Sequence, residues 1–381
     1  MKPAIETLNL FKLASGDEFS LQLYKFVGDK KGKKVYIQSN LHGSEIVGNA
    51  VISQLINFFS SLKKEQISGE IWLLPVCNPL GTNQRSHHFS SGRFNSYDGK
   101  DWNRIFWDYE KVCQNLEEFV NNNIKFDSLT IQENFLQQQK KAFSKQLEKI
   151  NSYSSAPLFE QYRYQLQSLS MDANHVIDIH SSSNQCIDYL FCFPGQQEES
   201  AKYFQIDYGI LMDTYDGDAF DEAFMKPWLA LEKELENKGR NINLERESWT
   251  LELGSGMTMN SQSVNVGFNG IINYLVKKRI LNLPNHSLIS KEITLFARQD
   301  IQYYYAPTGG MIQNRLSLKN QAKAGEKLYE ILSFNKQGKL PEIINICAEK
   351  DGFIFDISTN CSVNQGDYVL ALCSPSLNKK D

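Results

Sequence analysis

His42 and Glu45 stand three residues apart, just after the apolar run Val35-Tyr36-Ile37 and just before the helix-like stretch Ile46–Leu62. An imidazole and a carboxylate are both zinc ligands, and this spacing across a strand–loop–helix junction lets both turn toward one point. Taken alone the pair is close to coincidence, because the chain holds six His and acidic residues are common. A third ligand is available in His180, which ends a second apolar run, His175-Val176-Ile177-Asp178-Ile179. Neighbouring strand ends of an open parallel sheet share one crevice. Two His and one carboxylate there, with a fourth position left for water, make the pattern of a hydrolytic zinc site. For His180 by itself the competing reading is a satisfied core histidine.

Hydrolysis also needs a base. Glu252 is a lone carboxylate in Trp249-Thr250-Leu251-Glu252-Leu253-Gly254, and burying it in such a strand is costly. It is either an edge residue turned to solvent or a general base whose pKa burial raises. Arg93, Asn103 and Arg104 lie in the polar, aromatic loop from Thr82 to Trp107. A guanidinium can bind a carboxylate bidentately or steady an oxyanion; surface arginines are the ordinary alternative. His87 and His88 read as loop residues, and His175 and His286 as structural. Asp213-Thr214-Tyr215-Asp216-Gly217-Asp218 lacks the spacing and closing Glu of a calcium-binding EF-hand loop.

The elements that must position these residues follow from the patterning. Leu10–Leu13 and Leu21–Val27 read as strands around a Gly16-Asp17-Glu18 turn. Val35–Ser39, the amphipathic helix carrying Ile46, Ala50, Ile52, Leu55, Ile56 and Phe59, and the strand Glu70–Cys77 form a βαβ unit, so a parallel sheet is expected. Residues 108–171 are rich in Gln, Asn, Lys and Glu and read as a helical insertion. Strands follow at His175–His180, Tyr189–Phe193 and Trp249–Leu253, and helices at Asp218–Leu235, with Pro227 opening its regular part, and at Ser263–Arg279. Beyond Leu283-Pro284-Asn285-His286 the chain repeats itself. Ala306-Pro307-Thr308-Gly309-Gly310-Met311-Ile312 is matched by Ala348-Glu349-Lys350-Asp351-Gly352-Phe353-Ile354, and Ala324-Gly325-Glu326-Lys327-Leu328 by Gln365-Gly366-Asp367-Tyr368-Val369. Short strands with Gly-Glu and Gly-Asp turns in two copies predict a small closed β-structure. The expected division is a catalytic domain over 1–290 and a C-terminal β-barrel over 291–381.

At 381 residues two domains are expected, and a 41% hydrophobic fraction supplies their cores. A net charge of −4 gives no footprint for nucleic acid or an anionic membrane. Seven Cys without paired spacing fit reduced thiols. The N-terminus has no apolar core of signal-peptide length and Ile46–Leu62 is too short to span a bilayer, so a cytoplasmic protein is expected.

His42-Gly43-Ser44-Glu45, Asn78-Pro79, Asp101-Trp102-Asn103-Arg104, Asp178-Ile179-His180-Ser181 and Leu251-Glu252-Leu253-Gly254 occur in the order found in the zinc carboxypeptidase superfamily. The set resembles most its succinylglutamate desuccinylase/aspartoacylase branch, across nearly the whole chain. The resemblance implies an α/β fold with a mixed or parallel sheet flanked by helices and a C-terminal barrel of biotinyl/lipoyl-like shape. It implies one zinc ion per subunit on His42, Glu45 and His180, with Glu252 as the base. Asn103 and Arg104 would grip a substrate carboxylate, Arg93 would assist the scissile carbonyl with Arg85 as its rival, and Asp101 would orient a ligand. Three features depart from the branch: the long separation of Glu45 from His180, the Arg93-to-Arg104 spacing, and the lack of a Met-Lys hairpin that could carry biotin or lipoate. The expected activity is a zinc-dependent deacylase using zinc-activated water on a small N-acylated amino acid, as a possible homo-oligomer. A zinc carboxypeptidase on short peptides is the alternative, and a non-catalytic binding protein a lesser one.

Overall fold

The computed structural model describes residues 1–87, 90–112, 115–152, 158–212 and 217–374. Its centre is a nine-stranded sheet of β1 (Ala4–Lys12), β2 (Glu18–Val27), β3 (Lys30–Ser39), β4 (Ser68–Leu74), β5 (His175–Ser182), β7 (Tyr189–Cys192), β8 (Tyr208–Leu211), β9 (Glu247–Ser255) and β10 (Thr294–Ala297); the short β6 (Gln185–Cys186) lies outside it. The spatial order is β1-β2-β4-β3-β5-β9-β7-β8-β10. The expected βαβ unit is present: β3 and β4 run parallel, joined through the Val47–Ser61 helix. β3, β5 and β9 are parallel neighbours at the middle of the sheet, and β7 turns antiparallel to β9.

Burial on both faces makes the central strands nearly continuous apolar runs, and the period of two divides them between two cores. Val35 and Ile37 of β3, Ile177 and Ile179 of β5, and Trp249, Leu251 and Leu253 of β9 face the Val47–Ser61 and Ser261–Lys277 helices. Tyr36 and Val176 face the other side, where the Leu158–Ser170 and Phe220–Asn237 helices pack. On that second side the upper ends of β5 and β9 carry Asp178, His180, Thr250 and Glu252 in place of apolar residues. Gly48 lets the Val47–Ser61 helix lie close under this region: a Cβ there would meet the Ser39 side chain at 2.5 Å.

The insertion forms helices at Leu116–Asn123, Ser128–Asn151 and Leu158–Ser170. Its Phe119, Phe135, Phe143 and Tyr164 build an aromatic core with Trp228, Leu231 and Leu235. This explains a departure from expectation at Pro227, which lies inside the Phe220–Asn237 helix instead of opening it. Phe224, Met225, Trp228 and Leu231 are buried on either side of the proline, so packing carries the helix through a residue that lacks the N–H for its own turn.

The C-terminal region also differs from expectation. β10, the first strand past residue 290, adds to the large sheet by pairing in parallel with β8. After it come β11 (Ile301–Tyr305), β12 (Gly310–Gln313), β13 (Gln321–Ala322), β14 (Lys327–Ser333), β15 (Glu342–Cys347), β16 (Gly352–Ile357), β17 (Ser362–Val363) and β18 (Tyr368–Cys373). They form two antiparallel sheets, β11-β18-β16-β13 and β15-β14-β12-β17, around a core that includes Leu328, Ile331, Ile354, Val369 and Leu372. Both sheets are open, so the expected closed barrel is here a pair of facing sheets. β6 pairs with β16 and ties this region to the catalytic side of the large sheet. Among the described residues no helix is long and apolar enough to cross a membrane.

Candidate metal centre and active site

β3 ends at Ser39, and Asn40 adopts a left-handed conformation at φ 69 that turns the chain out of the sheet. The Asn40 amide donates to the His42 and Gly43 carbonyls at 3.0 Å each, which closes the loop. Gly43 packs so tightly on the turn after Asn78 that a Cβ would sit 2.0 Å from the Gly81 carbonyl oxygen. Gly43 N–H and Ser44 N–H donate to the Gly92 and Ser91 carbonyls, which places Arg93 beside the loop. The local fold thus fixes His42, Glu45 and Arg93 relative to one another before any ligand arrives.

His42, Glu45 and His180 are all buried, and one donor atom from each lies within 4.8 Å of the others. His42 Nδ1 is 2.8 Å from Glu45 Oε1, and His180 Nδ1 is 2.8 Å from Glu45 Oε2. The two Nε2 atoms point away to carboxylates, His42 to Asp101 at 3.1 Å and His180 to Asp178 at 3.0 Å. Two imidazoles turned inward through Nδ1, each tethered at Nε2 by a carboxylate, match the way metal-bound histidines are held through their other ring nitrogen. The donor set and its burial fit a zinc ion.

The same contacts set the electrostatics of the trio. Burial alone would push Glu45 up, but the charge on His42 and hydrogen bonds from both histidines hold it well below the carboxylate range. Burial works against a charged His42 as well, and Glu45 and Asp101 outweigh it, so its pKa is raised. His180 is raised further, with burial overcome by Asp178 and Glu45. A metal binding here competes with protons for the two ring nitrogens.

Glu252 lies on β9 in register with His180 on β5. Its Oε2 is buried and has no hydrogen-bond partner among the described residues. Burial pushes its pKa up to about 7, with Glu45 adding to the rise and His180 opposing it. The same cleft, of about 280 Å³, is lined by His42, Glu45, His180, Glu252, Arg93, Asn103 and Arg104, so all seven residues expected at the site come together. Arg93 Nε donates to Asp101 Oδ2 at 2.9 Å, while Arg85 bonds only the exposed Thr82 and Gln84 carbonyls. Of the two rivals it is Arg93 that reaches the cleft. Asn103 Oδ1 accepts from Phe220 N–H at 2.9 Å, so its carbonyl end anchors the start of the Phe220–Asn237 helix. His175 bonds Tyr274 and His286 bonds Asn273, as expected of structural histidines. His88 and most of the Asp213–Asp218 stretch lie outside the described residues.

The model of the succinylglutamate desuccinylase/aspartoacylase catalytic domain matches residues 31–277. The chain belongs to the succinylglutamate desuccinylase/aspartoacylase family. Solved structures described as proteins of that family agree over full length. One from Shewanella amazonensis is 27% identical, covering 97% of this chain and 98% of its own, with a TM-score of 0.85. Another from Shewanella frigidimarina is 25% identical, covering 98% and 97%, with a TM-score of 0.86. The product-bound ectoine utilization protein EutE (DoeB) from Ruegeria pomeroyi shares the fold at 14% identity, covering 98% and 95%, with a TM-score of 0.66. No curated protein matches the sequence.

Within this family member, sequence reasoning passed over four residues of the cleft and its support. Asp178 stands two residues before His180 on one strand, a spacing that puts both on one face. Asp221 and Glu222 enter from the first turn of the Phe220–Asn237 helix, and Arg298 from the segment after β10. These three are brought in by tertiary packing and carry no local signal.

Proposed function

We propose that this chain is a metal-dependent amidohydrolase that removes the acyl group from an N-acylated amino acid, with one zinc ion per subunit held by His42, Glu45 and His180. What carries the reading is the convergence of three buried donor atoms beside Glu252, whose Oε2 has no partner among the described residues, in a single cleft. Zinc, when bound, supplies Lewis acidity that polarises a carbonyl and makes water more acidic.

The chain's own residues supply the rest. Glu252 takes a proton from the attacking water and returns it to the leaving nitrogen, a task suited to a carboxyl raised to about 7. Arg93, steadied by Asp101, stands beside Glu45 to stabilise the developing oxyanion. Arg104 and the Asn103 amide hold the substrate carboxylate. Asp101 and Asp178 fix the two imidazole rings. Metal content and amine release should be measured on one sample with N-acetyl and N-succinyl amino acids beside dipeptides. The expected result is about one zinc per chain, as a single three-ligand site requires, with faster cleavage of the acyl amino acids. Faster cleavage of dipeptides would move the reading to a carboxypeptidase, and absence of both metal and hydrolysis would overturn it.

A further inference from the structure

A second cavity, of about 460 Å³, lies at the opposite end of the large sheet from the metal ligands. Arg246 lines it from just before β9, six residues or roughly 20 Å of extended chain from Glu252. Phe193, which follows the antiparallel β7, lines it at the same end. The Arg246 guanidinium stacks 3.9 Å from the centre of the Trp228 ring, and its Nη1 donates to the Ala173 carbonyl. Its Nε is buried without a partner among the described residues, and burial pushes its pKa down to about 10. Asp172, the carboxylate whose charge reaches it, is committed to Lys34 at 2.6 Å and Lys140 at 3.6 Å. Arg246 thus has no counter-ion of its own among the described residues, a costly state for a largely buried cation.

The other polar groups of the cavity restrict what could supply that counter-ion. Glu232 and Glu236 line it from one face of the Phe220–Asn237 helix, one turn apart, with Lys233 at the exposed rim. Neither carboxylate pairs with Arg246. Glu232 Oε1 accepts from Leu244 N–H at 2.8 Å, and burial raises the Glu232 pKa, an effect that a bound ammonium reverses. Two carboxylates balance the two cations, so the lining repels a phosphate or other dianion and suits one carboxylate joined to one ammonium. Phe193, Met225 and Leu229 give the cavity an apolar wall. We infer that this cavity is a second, non-catalytic site for a free α-amino acid with an apolar side chain. Its carboxylate pairs with Arg246, its ammonium with Glu232 and Glu236, and its side chain covers the apolar wall. Binding there requires no hydrolysis and so stands apart from the deacylase reading.

Calorimetric titration of the zinc-loaded full chain with leucine, phenylalanine, leucinamide, 4-methylpentanoate and inorganic phosphate tests this. Leucinamide lacks the carboxylate and 4-methylpentanoate the ammonium, so each should bind about tenfold or more weakly than leucine, the factor for one lost hydrogen bond to a charged group. Phosphate should bind no better than either. In Arg246→Gln the affinity for leucine should fall by a similar factor. Glu232→Gln, which keeps an acceptor for Leu244 N–H, should weaken leucine and leave 4-methylpentanoate unchanged, a readout that remains if Arg246→Gln does not fold. Absence of binding by both leucine and phenylalanine overturns the assignment, as does equal affinity for leucine and its two analogues, or tighter binding of phosphate. Leucine binding that survives Arg246→Gln and is lost in Arg104→Gln places the amino acid in the metal cleft and also overturns it. None of these results depends on turnover, so the deacylase reading stands or falls separately.

Discussion

Asp178→Ala isolates what the carboxylate behind a ligand contributes to the metal site. Asp178 and His180 are 1% and 3% exposed at the side chain, and His180 Nε2 stands 3.0 Å from Asp178 Oδ2. Truncation leaves a buried N–H without an acceptor and frees the ring to rotate off the Nδ1 direction that Glu45 now fixes. A hydrogen bond to a charged acceptor contributes about 1.5–3 kcal/mol, and loss of an outer-shell partner weakens metal sites by about 10–100-fold. The two ranges agree, since tenfold is about 1.4 kcal/mol. Asp178 Oδ1 is buried without a hydrogen-bond partner among the described residues, but the desolvation cost its removal relieves does not outweigh the loss of a partner from a buried pair. Zinc affinity should therefore fall by about 10–100-fold, and the metal-free melting temperature should fall as well. Chelator competition read beside thermal unfolding with and without zinc separates the two quantities. Zinc affinity within threefold of the unaltered protein would refute the assignment of Asp178 to the metal site.

Other outcomes follow from the same geometry. Glu252→Gln should bind zinc as the unaltered chain does and lose about 10²–10⁴-fold in kcat, the usual contribution of a general base; retained turnover would remove Glu252 from the mechanism. The base must be ionised, so the rate should fall as pH drops through the Glu252 pKa, which burial raises to about 7 in the metal-free chain and a bound dication lowers. A pH profile of kcat/KM with its acid limb above 7 would contradict this. Gly43→Ala would drive a methyl group into the Gly81 carbonyl and shift the loop bearing His42 and Glu45, with zinc content and melting temperature both expected to drop.

The candidate site was legible because polar residues interrupt otherwise apolar central strands. His180 and Glu252 are conspicuous at positions where parallel strands carry Val, Ile or Leu, and His42 follows one such strand directly. Asp178 offered the same signal at a spacing of two and needed only the strand period to be read as a partner of His180. Asp221 and Arg298 could not be found this way, since each reaches the cleft through packing between segments far apart in sequence. The C-terminal repeat announced short strands, but turn residues do not specify whether a sheet closes. The extent of β10 was hidden because a four-residue strand pairing with β8 carries too little pattern to separate from the linker around it. Pro227 misled for a physical reason: its local preference is weaker than the aromatic core that holds its helix.

Asp356 of β16 accepts hydrogen bonds from Ser182 Oγ at 2.7 Å, Asn184 Nδ2 at 3.3 Å and Tyr368 OH at 2.6 Å, while β6 pairs alongside. Ser182, Ser183 and Asn184 also line the cleft. Linkage is reciprocal, so whatever free energy a ligand gains by ordering that loop is returned as added stability of the distant β16–β18 pair. Amide exchange in these two strands would then register occupancy of a pocket they do not touch.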